Sequence, residues 1–177
     1  MAFFSWGRKA KLEATFNDEI TKIISQLNGL YVAVRIADAP DRTAEFFIAG
    51  WLVYHAYGNL RGFEAARKDV GWICQKAMMT YVRNLSGARL GYKGIKEVEA
   101  MFLHVQERLN NASNADKGAS FAEDPSAKWR AEHMVDVFVA LVFPTKNAKS
   151  IKTKLLNPLT MIFTLGVEQI KASFSEF

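Results

Sequence analysis

The stretch FFIAGWLVYHAY, residues 46–57, decides the fold: only Gly50 and His55 interrupt an otherwise apolar and aromatic run. A helix that is hydrophobic on every side needs neighbours on every side, so residues 42–57 are expected at the centre of a helical bundle or in a dimer seam. The run is shorter than the ~20 residues that span a bilayer, as is VDVFVALVF at 135–143. Both read as core helices. Asp41 stands where an N-cap belongs, its carboxylate able to accept from the exposed N–H groups of the first turn.

Upstream, apolar residues recur at 12, 16, 20, 23, 27, 30 and 34, the three- and four-residue steps of one helix face. That helix should stop near Asp38, because Pro40 disfavours helical geometry in the residue before it. Downstream, Gly58, Asn59 and Gly62 suggest a break, after which Phe63, Ala66, Val70, Ile73, Ala77, Tyr81 and Leu85 form a second stripe. Beyond the loop SGARLGYKG, residues 86–94, a third stripe comprises Ile95, Val98, Phe102, Val105 and Leu109. Asn110 and Asn111 mark its end, and the polar stretch 110–123 reads as a mobile surface loop.

Asp124 and Pro125 signal the next helix, which carries Trp129, His133, Val137, Phe138 and Leu141 as far as Pro144. Asn157 and Pro158 repeat that signal for a last helix with Leu159, Ile162, Phe163, Val167, Ile170 and Phe174, leaving a short lysine-bearing helix at 145–156. No internal repeat or strand pair is visible. The fold expected over residues 1–177 is an all-α, single-domain bundle of six to seven helices, with a homodimer as the alternative way to cover residues 42–57.

With 177 residues, half of them hydrophobic and 22 aromatic, the chain can bury one substantial core. Cys74 is the only cysteine, so an intrachain disulfide is excluded, and a reducing, cytoplasmic setting is expected. The leading MAFFSWGRKAK places apolar residues before basic ones, the reverse of a secretory signal. Phe3, Phe4 and Trp6 with Arg8, Lys9 and Lys11 suggest instead a peripheral membrane contact or packing onto the bundle.

Catalytic signatures are missing. There is no G-x-S-x-G, no phosphate-binding G-x-x-x-x-G-K-[ST] and no strand-flanked G-x-G-x-x-G. The spacing of His55, His104 and His133 matches no di-iron or zinc pattern, and His104 lies off the apolar stripe of its helix. His55 and His133 fall on apolar faces that could meet across the core near Cys74. No catalytic residue, metal ligand or cofactor is assigned.

Charge is more informative. The formal net charge is +5, but Val70–Lys96 holds five basic residues and no acid, and Val137–Val167 holds four lysines and no acid. Arg83, Arg89, Tyr92, Lys93 and Lys96, together with Lys146, Lys149 and Lys152, are therefore the candidate anion- or partner-binding residues. The glycines of loop 86–94 could also aim backbone N–H groups at an anion where the next helix begins. The expected function is a non-enzymatic helical adaptor, inhibitor or accessory factor that binds an acidic protein surface. The alternatives are nucleic-acid binding, with Tyr92 as a stacking ring between Arg89 and Lys93, and a helical enzyme or cofactor binder around His55, Cys74 and His133.

Overall fold

The computed structural model describes residues 2–86, 92–123 and 131–177, and their side chains apart from 2–6, 78, 81–86, 92–95, 98 and 118–123. It is an all-α, single-domain bundle of six helices: α1 (Ala2–Ala33), α2 (Arg42–Arg61), α3 (Phe63–Ser86), α4 (Tyr92–Glu123), α5 (Glu132–Val142) and α6 (Ala148–Ser173). α2 packs against all five others. Every residue from Ala44 to Gly58 is buried except Tyr54 and His55, so residues 42–57 form the central helix that their composition implied. At roughly 1.5–3 kcal/mol for each large side chain removed from water, Phe47, Ile48, Trp51, Leu52 and Val53 supply much of the drive for packing.

The start of α2 follows the sequence reading. Asp41 Oδ1 accepts from Thr43 N at 2.9 Å and Ala44 N at 3.0 Å, while Asp41 N donates to Val142 O at 2.7 Å and ties this corner to the end of α5. Glu45 lies one turn inside and is 1% exposed. A carboxylate so deep is costly unless paired; it accepts from Tyr31 Oη at 2.8 Å and Arg42 Nη1 at 2.7 Å, and Arg42 is held in turn by Asn28.

α1 ends at Ala33, earlier than Pro40 implied. Ile36 N donates to Tyr31 O at 3.0 Å and Arg35 N to Val32 O at 3.2 Å, with Arg35 at φ 54°. This is a Schellman cap with arginine in the left-handed position that usually goes to glycine. α2 likewise runs through Gly58 and Asn59, and the break falls at Gly62, φ 89°.

Two connections expected from the sequence are helical. Residues 110–123 are not a surface loop; they continue α4, because Ala112 and Asp116 extend the buried stripe of Val105 and Leu109 at helical spacing. Pro158 does not open a new helix: α6 runs through it. Ile151, Leu155, Leu159 and Phe163 make one continuous buried stripe, and burial of that stripe outweighs the hydrogen bond that proline cannot donate. The start signal at Asp124 and Pro125, with Trp129, lies outside the described residues. In α5 the buried face is Met134, Val135, Phe138, Val139 and Val142, rotated away from His133.

The two left-handed positions make opposite predictions. Gly62→Ala should destabilise the protein by about 1–3 kcal/mol, since a side chain is strained at that φ and ψ. Arg35→Gly should be neutral or stabilising by up to about 1 kcal/mol. Urea denaturation of the two variants reads both, and equal effects of the same sign would show that backbone strain does not govern these corners.

Candidate functional site

The basic windows that are free of acid in sequence are not free of it in space. Lys76 on α3 bonds Glu13 of α1 at 2.6 Å, and Lys96 on α4 bonds Glu99 at 2.8 Å, which holds the Glu99 carboxyl below its usual range. Lys152 on α6 bonds Asp136 of α5 at 2.6 Å and lies 3.6 Å from Glu132. These acids, the Asp136 hydrogen bond first, raise the Lys152 pKa. Three lysines that look uncompensated in one dimension are therefore charge-paired by neighbouring helices or by the next turn.

Lys146, Lys149 and Lys154 differ: all three are exposed, and among the described residues none pairs with a carboxylate. Lys154 Nζ donates to Arg35 O at 3.1 Å, so its charge stays uncompensated beside the α1–α2 corner. Lys146 and Lys149 flank the start of α6. No acidic residue lies in the first turn there, and Asn147 makes no capping bond. Its side-chain amide instead donates to both oxygens of Asp38 at 3.2 Å. The partly positive N-terminus of α6 thus adds to the lysine field, and the Asp38 carboxylate held by Asn147 offsets part of it.

Arg83, Tyr92 and Lys93 fall on helical backbone at the end of α3 and the start of α4, with side chains outside the described set; Arg89 and most of the 86–94 loop lie outside the described residues. Among the described residues α3 and α4 do not pack against α6. Among the described residues, the helices that carry Lys76 and Lys96 therefore do not pack against the one that carries Lys149, Lys152 and Lys154. At the N-terminus, Arg8 donates to the Phe177 carbonyl, and Lys11 bonds Glu176 at 2.5 Å and stands 5.7 Å from the centre of the Phe177 ring. Two of the three basic groups considered for a membrane surface are thus engaged by the end of the chain. Among the described residues no helix is long and apolar enough to cross a membrane.

His55, Cys74 and His133 share no hydrogen bond or ring contact. His55 stacks on Trp51, centroids 4.6 Å apart at 16°, and tilts against Phe63 at 5.3 Å. Burial, with Lys117 and Lys171 as lesser causes, lowers its pKa to about 4. His133 is on the outer side of α5, where its Nδ1 lies 2.7 Å from Asp116 Oδ1. Cys74 is buried, which pushes its thiol well above the usual range. Among the described residues no three His, Cys, Asp or Glu side chains are grouped to hold a metal ion. His104 is exposed, as its position off the stripe implied.

Asp116 itself escaped the sequence reading. It caps α5 from α4, accepting from His133 N at 2.8 Å and Met134 N at 3.0 Å. The one available signal was its spacing, four residues beyond Ala112 in the α4 stripe. Comparison of the chain with known protein families, curated proteins and solved structures gives no match.

His55 and Cys74 set two expectations. Because His55 is held neutral in the fold, the unfolded chain binds the extra proton between its own pKa near 6.5 and the folded value of about 4. The contribution is whole above pH ~6.5 and is lost as pH falls through that window, on the order of 1–3 kcal/mol. Urea midpoints from pH 7 to 4 should fall less steeply in His55→Phe; parallel profiles would reject the assignment. Cys74 should react with a thiol reagent only at the rate of global or local opening, so labelling should accelerate sharply in denaturant; fast labelling of the native protein would contradict its burial.

Proposed function

We propose that this chain is a non-enzymatic helical interaction protein, an adaptor, inhibitor or accessory factor, that binds an acidic protein surface. The contacts are Lys146, Lys149 and Lys154 around the start of α6, with Arg83, Arg89, Tyr92 and Lys93 as a second basic stretch. One observation carries the reading: these three α6-side lysines keep exposed, uncompensated charge while Lys76, Lys96 and Lys152 are neutralised within the chain. The start of α6 supports it. The first-turn backbone N–H groups of α2 and α5 bond a carboxylate of the chain itself, Asp41 and Asp116, whereas among the described residues those of α6 bond none, Asp38 being held by the Asn147 side-chain amide. A partner's Asp or Glu would complete the cap and gain a charge-assisted bond.

An acidic protein fits better than a nucleic acid. A phosphate backbone favours an unbroken basic track, and here Asp38 and the Lys152 pair with Asp136 interrupt the row. Patchy charge of this kind suits the mixed rim of a protein interface. A cytoplasmic setting accords with a single, buried, unpaired cysteine.

Fluorescence anisotropy with a labelled polyglutamate peptide and with duplex DNA, both at low ionic strength, tests the proposal. Replacing Lys146, Lys149 and Lys154 by Gln should weaken polyglutamate binding by about tenfold or more, about 1.4 kcal/mol, while Lys152→Gln should change it little. Undiminished peptide binding by the triple variant would sink the surface assignment, and tighter binding of DNA than of peptide would move it to nucleic acid.

A further inference from the structure

A cavity of about 160 Å³ opens between α1 and α6, with Leu52 of α2 in its wall. Its lining is mixed: the buried side chains of Ile23, Leu52 and Ile170 stand beside polar Gln26 and Ser173 and the exposed Lys22 and Gln169. One carboxylate lines it. The Glu19 side chain is 7% exposed, and its Oε1 accepts from Lys22 Nζ at 2.6 Å. Oε2 has no hydrogen-bond partner, yet no sealed side-chain oxygen or nitrogen among the described residues lacks one. Oε2 is therefore accessible, on a residue that lines the cavity.

Gly166, in the interior of α6, forms part of the wall. A Cβ there would meet only Ile162 Cγ2, at 3.9 Å, an ordinary contact. No close approach calls for glycine at this position, and glycine weakens a helix interior relative to alanine. What the missing side chain supplies is room.

We infer that this cavity binds a small aliphatic ammonium compound, with the ammonium on Glu19 Oε2 and a short branched hydrocarbon body on Ile23, Leu52 and Ile170. The volume leaves room for such a body, since a cavity of about 150 Å³ holds a benzene-sized molecule, and Ile23, Leu52 and Ile170 give it an apolar wall beside the polar one. A neutral hydroxyl would fit sterically, but a bond between two charged groups is roughly twice as strong as a neutral one. Lys22, largely exposed on a flexible stem, can swing to solvent as the ligand enters or turn to a ligand carboxylate. The same ammonium chemistry belongs to a free alkylamine and to an aliphatic amino acid, so both are probes.

The experiment is a titration of the methyl-labelled full chain with isoamylamine, L-leucine and isoamyl alcohol, followed by NMR. Saturable shifts of the Ile23, Leu52, Ile162 and Ile170 methyls are expected with one of the two ammonium compounds, and the tighter one identifies the source. Binding should weaken by about tenfold or more in Glu19→Gln, in Gly166→Leu, which fills the space, and on changing the ammonium to the alcohol. Absence of saturable shifts with either ammonium compound at about 10 mM would overturn the inference, as would equal affinity in folded Gly166→Leu. The wild-type titration decides the matter even where a variant fails to fold.

Discussion

Ten consecutive residues of α2, Ala44 to Val53, are buried, which no surface helix of a bundle permits. Such a helix must be enclosed, and α1, α3, α4, α5 and α6 all lie against it. The other helices are amphipathic because each has only one α2-facing side to satisfy. Aromatic contacts lock several of them in place: Phe47 meets Phe102 of α4 edge-on at 5.9 Å, and Tyr57 meets Phe174 beyond α6 at 5.2 Å. Loss of the water-excluded environment around α2 would remove the reason for every other packing contact.

Enclosure makes buried charge expensive, and the chain meets that cost in three ways. Glu45 is satisfied by Tyr31 and Arg42, a local network that joins α1 to α2. Asp116 is satisfied by backbone N–H groups at the head of α5, so the acid and the helix start each supply what the other lacks. Glu19 has a single lysine and one oxygen to spare. The first two arrangements are complete as structure, whereas the third lines a cavity, which is why it alone of the three is proposed as a binding site.

Charge distribution follows a related logic on the outside. Basic stretches in sequence meet acids brought by other helices, Glu13 to Lys76 and Asp136 to Lys152. Exposed pairs of this kind contribute at most about 1 kcal/mol each, so their main effect is to reshape the surface field. What persists is a short positive region at the α6 start and the α1–α2 corner, bounded by acids.

The sequence by itself determined the helical class, the central place of residues 42–57, the Asp41 cap, the main stripe of α1 and the Ala66, Val70 and Ile73 part of that of α3, because each depends on residues within a few turns of one another. It misjudged what depends on distant partners. The polar run 110–123 looked like a loop until α5 supplied backbone donors for Asp116, and Pro158 looked like a boundary until one buried stripe was seen to cross it. Which lysines keep their charge, and that Glu19 faces a cavity beside Gly166, were decided only by tertiary structure. A side chain's field and free volume are set by neighbours remote in sequence, and no local period encodes them.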